Sequence, residues 1–221
     1  MAIAVATAAA DDVKVYFGCG CFWHVQHGFV QLEESLLGRL GGSISARTAY
    51  AGGTKVGADG LVCYHNGEGV ADYGSMGHAE AVLLNIPKAR YPEFAKKFWE
   101  LCPKGQRQDP QDVGGEYRSV VGLPGGMQSD LIQSLDAEAH GVKLIAGKGD
   151  EGDTLDSDKV FVYDTDRFPA HVAEKFHQFH NDMMDTYGGD YNALQRFAVN
   201  TKCPGDSAGA GGFLGLLSFT S

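Results

Sequence analysis

An extended alternation that stops abruptly at glycines constrains the start of this chain. Val13, Val15 and Phe17 fall on one side of a strand, and Lys14 and Tyr16 fall on the other. Gly18-Cys19-Gly20 ends that strand. Phe22, Val25 and Phe29 then recur at i, i+3 and i+7, one face of a helix, so Cys21 lies at or just inside a helix N-terminus. Unpaired N–H groups and the positive end of the helix dipole stabilise an anion there, so we expect a reactive thiolate with a pKa below the roughly 8.5 of a free thiol. A small cysteine buried in a turn is the competing reading. Phe22 and Trp23 weigh against it, because two adjacent large aromatics cannot share one core stripe and one of them lines a cavity beside the sulfur.

The 221 residues, 43% hydrophobic, suit one domain with a real core. With 18 basic against 28 acidic residues, the net charge of -10 argues against nucleic acid or an anionic membrane surface as partner. No apolar run approaches the ~20 residues of a membrane span. Residues 1–12 read as a flexible N-terminal tail without the basic start of a signal peptide, although the remnant of a trimmed organelle-targeting peptide fits too. Cys19, Cys21, Cys63, Cys102 and Cys203 are odd in number and lack a paired framework. They suggest an intracellular reducing compartment, the cytoplasm first, in which any disulfide is transient.

Further along, Ser43 to Ala51 alternates as a strand, and residues 54 to 77 form a long aperiodic loop of the kind that carries function. Glu80, Val82, Leu84 and Ile86 keep one parity, which puts a carboxyl on the apolar face of a strand, partly desolvated. Pro92 opens a helix carrying Phe94, Phe98 and Leu101. Strands are predicted at 117–121, 142–145 and 160–163, with a helix from about Gln128. A last helix is predicted from Pro169, with Val172, Phe176, Phe179 and Met183 on one face. Order should fade beyond Tyr187, and the glycine-rich segment 201–221 reads as a flexible tail with Cys203 on a mobile arm. Interleaved strands and helices predict an α/β fold, a mixed sheet with helices against it.

Gly20-Cys21-Phe22-Trp23, Tyr50-Ala51-Gly52-Gly53, Gly77-His78-Ala79-Glu80, and Arg107-Gln108 followed by Asp112-Val113-Gly114-Gly115-Glu116-Tyr117-Arg118-Ser119 resemble, in order and approximate spacing, the methionine sulfoxide reductase A family. Ala173-Glu174-Lys175-Phe176-His177-Gln178 extends the likeness, which spans residues 13–200. The resemblance implies a two-layer, ferredoxin-like sandwich and reduction of the S epimer of methionine sulfoxide, free or in peptides, in the repair of oxidised proteins. It implies that Cys21 attacks the sulfoxide sulfur, Phe22 and Trp23 hold the substrate methyl group, and Glu80 is the acid. Tyr117 and a second tyrosine, Tyr64 in preference to Tyr73, would bind the oxygen, with Asp112 ordering the polar side. The resulting sulfenic acid would be resolved by Cys203, or alternatively Cys19, and the disulfide reduced by thioredoxin or another dithiol, with no bound cofactor and the chain acting as a monomer.

Several residues depart from that pattern. His24 stands where the family has glycine, Cys19 is extra, and Val62-Cys63-Tyr64-His65-Asn66 replaces the family's proline-threonine-tyrosine segment. Two other chemistries compete. A thiol peroxidase also needs a reactive cysteine, though not Glu80. A metal-binding protein could use Cys19, Cys21 and His24, or His177 and His180, although a half-buried helix face explains the last two more simply.

Overall fold

The computed structural model describes residues 11–180 and 187–207. Strand β1 (Asp12–Gly18) leads into helix α1 (Phe22–Leu37), then β2 (Arg47–Ala51), β3 (Ala79–Pro87), helix α2 (Tyr91–Leu101) and β4 (Val120–Leu123). A short helix α3 (Ile132–Ala137) precedes β5 (Lys143–Ala146), β6 (Lys159–Asp164) and β7 (His171–Val172). The sheet runs β5-β6-β4-β1-β3-β2-β7. Its middle, β4-β1-β3-β2, is antiparallel throughout and carries a βαββαβ order, the ferredoxin-like arrangement that the family resemblance implies. Parallel pairing of β6 to β4 and of β5 to β6 makes the whole sheet mixed.

Side-chain alternation assigns the two faces. Val15 and Phe17 of β1 join Val82, Leu84 and Ile86 of β3 in one core with Phe22, Val25 and Phe29 of α1 and Phe94, Phe98 and Leu101 of α2. Both long helices thus cover the same face. Tyr16, Ala79, Ala81, Val120, Phe161 and Tyr163 form a second, smaller cluster on the opposite face.

Differences from the sequence reading have local causes. The strand expected from Ser43 begins only at Arg47, because Glu33 of α1 accepts the backbone N–H groups of Ser45 and Ala46 at 2.8 and 3.0 Å. The strand expected at 117–121 is shifted to Val120–Leu123, since residues 115–117 form a helical turn. The helix expected from Pro169 is absent as far as residue 180; β7 and a single turn at Lys175–His177 occupy that stretch. Phe179 adopts a φ of 53° and gives its N–H to Gln26 Oε1 at 2.6 Å, which removes it from any helical ladder. Met183 lies outside the described residues. Beyond Tyr187 order persists to residue 207, with Tyr191 and Leu194 buried.

The cysteines differ most. Four of the five are paired, Cys19 with Cys102 and Cys63 with Cys203, and Cys21 alone is free. Cys203 is therefore not on a mobile arm; it is buried, and the part of the expected tail beyond residue 207 lies outside the described residues. The partners are 83 and 140 positions apart, so no local sequence signal links them. Thiol titration of the unfolded, unreduced protein should count one thiol per chain, rising to five after reduction; five before reduction would contradict this pairing.

Arg118, just before β4, binds the loops at one end of the sheet together. Its guanidinium donates to the carbonyls of Gly52 (3.1 Å), Gly77 (2.9 Å) and Gly115 (2.7 Å) and to the Tyr163 hydroxyl (3.0 Å). Lysine has one point charge in place of this planar fork. Arg118→Lys should lower the unfolding free energy by about 3 kcal/mol or more in urea denaturation, given ~1.5–3 kcal/mol per hydrogen bond to a charged group; a change under about 1 kcal/mol would mean the clamp contributes little.

Candidate active site

The turn between β1 and α1 is held through three successive backbone N–H groups. Gly20 donates to the Tyr117 carbonyl at 3.1 Å, Cys21 to Asp112 Oδ2 at 3.0 Å, and Phe22 to Glu80 Oε2 at 2.9 Å. Two of these are donors that a helix N-terminus leaves without an intrahelical partner, here satisfied by carboxyls from a loop and from β3. Gly20 has a φ of +69°, and a Cβ there would come within 2.7 Å of Arg107 Cβ, so glycine is required. Arg107 in turn braces the Asp112 loop through the Asp112 carbonyl and the Asp153 carboxylate.

Cys21 is the N-cap of α1, as the spacing predicted, but its thiol is not acidic. Burial first, and the Glu80 carboxylate next, push it up to about 12, against the backbone N–H groups of Trp23 and His24, which pull it down. The expectation of a thiolate-prone cysteine is thereby corrected. Helix-terminus donors are present, but desolvation outweighs them. His24 acts on Cys21 through its main chain. Its ring is half-buried, and burial lowers its own pKa.

Glu80 is only 2% exposed, and burial raises its carboxyl from 4.5 to about 8 despite the hydrogen bond from Phe22. At neutral pH it is a carboxylic acid. Tyr73, fully buried, has its hydroxyl 3.4 Å from Glu80 Oε1. Tyr64 stacks on Tyr73 with ring centroids 5.6 Å apart and lies 4.2 Å from the His177 ring. Tyr117 is half-buried, its hydroxyl pKa raised by burial and then by Glu80, so it lies within the field of the same carboxyl. Burial also raises Asp112, against the Cys21 N–H.

Phe22 and Trp23 differ in burial. Phe22 is buried in the main core against Tyr50, whereas Trp23 is only partly buried at the edge of that core and stacks on His180 at 3.9 Å and His177 at 5.9 Å. The two histidines are therefore not on a helix face; they back the tryptophan. Glu174, to which the sequence assigns no role, accepts the Tyr50 hydroxyl at 2.8 Å and the Tyr64 N–H at 2.7 Å. The motifs contain it, but nothing local in the chain points to these distant partners.

Cys203 and Cys19 do not face Cys21 as free thiols, since each is in a disulfide. The set Cys19, Cys21 and His24 is likewise closed to a metal in this state. Sulfur and oxygen atoms of Cys63, Cys203 and Glu174 lie within 4.8 Å of one another, but the two sulfurs are bonded together and offer no thiolate. A cavity of about 460 Å³ opens between Glu116, Arg118, Glu151, His65 and His78. Neither Cys21 nor Glu80 lines it. No helix among the described residues is long and apolar enough to cross a membrane.

Fold and site together define a ferredoxin-like α/β protein whose single free cysteine sits at a helix N-terminus beside a neutral buried carboxyl. Residues 13–145 match the family described as Peptide methionine sulfoxide reductase, and the chain belongs to that family. It is 35% identical over 112 residues to "Peptide methionine sulfoxide reductase MsrA" of Geobacter metallireducens, which covers 49% of this chain and 59% of that protein. To the protein of the same name from Xanthomonas campestris pv. campestris it is 31% identical over 142 residues, 62% of this chain and 57% of the relative. The matched region thus spans less than two thirds of either relative. The solved structure "Methionine sulfoxide reductase A of Corynebacterium diphtheriae" superposes with a TM-score of 0.49 at 20% identity, covering 78% of this chain and 74% of that one.

The raised Glu80 carboxyl makes a prediction about stability. Its folded pKa of about 8 lies above the ordinary 4.5, so the folded state holds a proton that the unfolded state releases, and stability falls as pH rises between those values. Glu80→Gln cannot ionise. Its stability relative to the wild type should rise from pH 5 to pH 8 and then level off, by a few kcal/mol in all, since each tenfold difference in proton affinity is worth ~1.4 kcal/mol. A pH-independent difference in denaturation would show that Glu80 titrates normally.

Proposed function

We propose that this chain reduces the S epimer of methionine sulfoxide, in peptides or as the free amino acid, through a sulfenic acid on Cys21. The observation that carries the reading is the free Cys21 at the helix start with a protonated Glu80 bonded to the next residue's N–H. Glu80 gives its proton to the sulfoxide oxygen while the Cys21 sulfur attacks the sulfoxide sulfur, and the thiol proton replaces the one Glu80 gave up. The products are the sulfide and Cys21 sulfenic acid. Oxygen moves from one sulfur to the other, with the methionine reduced and the cysteine oxidised. A resting thiol suits this exchange, because both protons are already in place. Trp23 and Phe22 form the apolar wall for the methyl group. Tyr117 and Tyr64 hold the oxygen, with Tyr73 bonded to the acid, and Asp112 fixes the Cys21 backbone.

Regeneration needs a thiol, and no bound cofactor. In the state described, an external thiol attacks the sulfenic acid, releases water and leaves a mixed disulfide, which a second thiol opens. A dithiol such as thioredoxin supplies both. Cys203 becomes a resolving thiol only after the Cys63–Cys203 bond is reduced. A cytoplasmic location would favour that reduced form.

Cys21→Ser should abolish loss of oxygen from a peptide containing methionine S-sulfoxide, and Glu80→Gln should slow a single turnover by about 10²–10⁴-fold. Glu80 is in the acid form below about 8 and loses it above, so the wild-type single-turnover rate should be level through neutral pH and fall about tenfold for each further step of one in pH beyond 8. Stopped-flow measurement of sulfide release reads both effects. Turnover by Cys21→Ser, or hydroperoxide consumption without sulfoxide reduction, would overturn the assignment in favour of other thiol chemistry.

A further inference from the structure

Three tyrosines from distant parts of the chain form a stack beside the acid. Tyr50 of β2 lies 4.5 Å from Tyr73 between ring centroids, and Tyr73 lies 5.6 Å from Tyr64. The middle ring carries the hydroxyl that meets Glu80. One carboxylate grips both outer members. Glu174 Oε2 accepts the Tyr50 hydroxyl and Oε1 accepts the Tyr64 backbone N–H. Glu174 is only 5% exposed, makes no ion pair with a cation among the described residues, and packs against the Cys63–Cys203 disulfide. Burying a carboxyl group among neutral partners is costly, and an apolar side chain would bury at lower cost. What the carboxylate provides is two acceptor oxygens in a fixed fork, one for each end of the stack.

We propose that Glu174 is a positioning residue that clamps the Tyr50–Tyr73–Tyr64 stack and so sets the Tyr73 and Tyr64 hydroxyls relative to Glu80 for the removal of oxygen. This rests on the sulfoxide reductase reading above. Two lines of geometry support it. Glu174 follows β7, whose residues His171 and Val172 pair with Tyr50 and Ala49 of β2, so the carboxyl is held in register with the tyrosine it binds. Cys63, next to Tyr64, is bonded to Cys203, while Asp206 accepts the Lys175 N–H at 2.9 Å, so the segments on both sides of the clamp are tied to the same C-terminal turn. Without the carboxylate the stack is free to slide along its ring faces. The Tyr73 to Glu80 contact, already long at 3.4 Å, is the first to be lost.

The test is a double-mutant cycle in the full chain with a peptide containing methionine S-sulfoxide, read as single-turnover rate and KM together with melting temperature. Glu174→Ala should lower the rate about 10–100-fold with KM within twofold of wild type, and Glu174→Gln, which keeps one acceptor, should recover part of the loss. Tyr50→Phe should cost less than Glu174→Ala, and combining the two should cost no more than Glu174→Ala alone. Additive losses, or a rate loss that merely tracks a lower melting temperature across the variants, would overturn the clamp. A wild-type chain that is inert toward the sulfoxide would sink the functional reading instead. The clamp is then judged by near-ultraviolet circular dichroism, where Glu174→Ala must change the tyrosine signal as Tyr50→Phe does; an unchanged spectrum would refute it.

Discussion

Three consecutive N–H groups at one turn organise the rest of this molecule. Gly20, Cys21 and Phe22 bind Tyr117, Asp112 and Glu80, and these partners arrive from the turn before β4, from the loop preceding it, and from β3. The helix start leaves two of these donors, on Cys21 and Phe22, without intrahelical partners, and the chain supplies their acceptors as the carboxyls of Asp112 and Glu80 beside the cysteine. Satisfying the backbone and assembling the site are therefore the same event. The supports lie outside the turn: Arg107 braces the Asp112 loop, and Arg118 gathers the carbonyls of Gly52, Gly77 and Gly115. Either guanidinium replaced by a smaller group would loosen loops that never touch the sulfur.

The same turn shows how desolvation and a helix terminus compete. A helix N-terminus lowers the pKa of a nearby acid, and Glu80 does accept the Phe22 N–H, yet its carboxyl is raised. A single hydrogen bond restores only part of the hydration that a carboxylate loses on full burial. Cys21 follows the same balance. The result is a pair of neutral groups, each with a proton, beside apolar and aromatic walls. Such a pair carries little charge to solvate and can exchange protons with a bound polar group without separating charge.

Much of this was legible in the chain because it is local. The period of two in Val13 to Phe17 and in Glu80 to Ile86, and the period near 3.6 from Phe22, follow directly from backbone geometry, and β1, β3 and α1 lie where those periods put them. The apolar spacing of Val172, Phe176 and Phe179 obeys the same rule and still forms no helix. Phe179 spends its N–H on Gln26, while Gln178 binds Ala173 and Val199, so tertiary hydrogen bonds outweigh a local preference worth tenths of a kcal/mol per residue. The candidate site divides in the same way between local motifs and distant contacts. Cys21, Glu80 and Asp112 stand in short motifs, but Glu174 acts on residues 124 and 110 positions away, and no periodicity encodes that.

The cysteine pairing escaped for the same reason, and it changes what the site can do. Cys19–Cys102 joins the turn before Cys21 to the end of α2, with the Ser119 hydroxyl 3.5 Å from one sulfur and 3.6 Å from the other. Cys63–Cys203 joins the loop of Tyr64 to the C-terminal turn. Each closes a long loop and, in the chain-entropy account, removes about 4–5 kcal/mol of unfolded-state freedom. Both therefore tie down the loops that bear Cys19 and Tyr64 while leaving the other four cysteines without a free thiol. Stiffness and isolation follow from the same bonds: on the proposed chemistry a Cys21 sulfenic acid in this state would have no internal thiol to meet, and its lifetime would be set by whatever thiol enters from outside. Reduction of Cys63–Cys203 would reverse both properties together, freeing a thiol on the segment that bears Glu174's neighbours and slackening the loop that bears Tyr64. On the proposed chemistry, oxygen removal and regeneration would place opposing demands on one disulfide, since the first would be served by holding the tyrosines still and the second by letting a cysteine go.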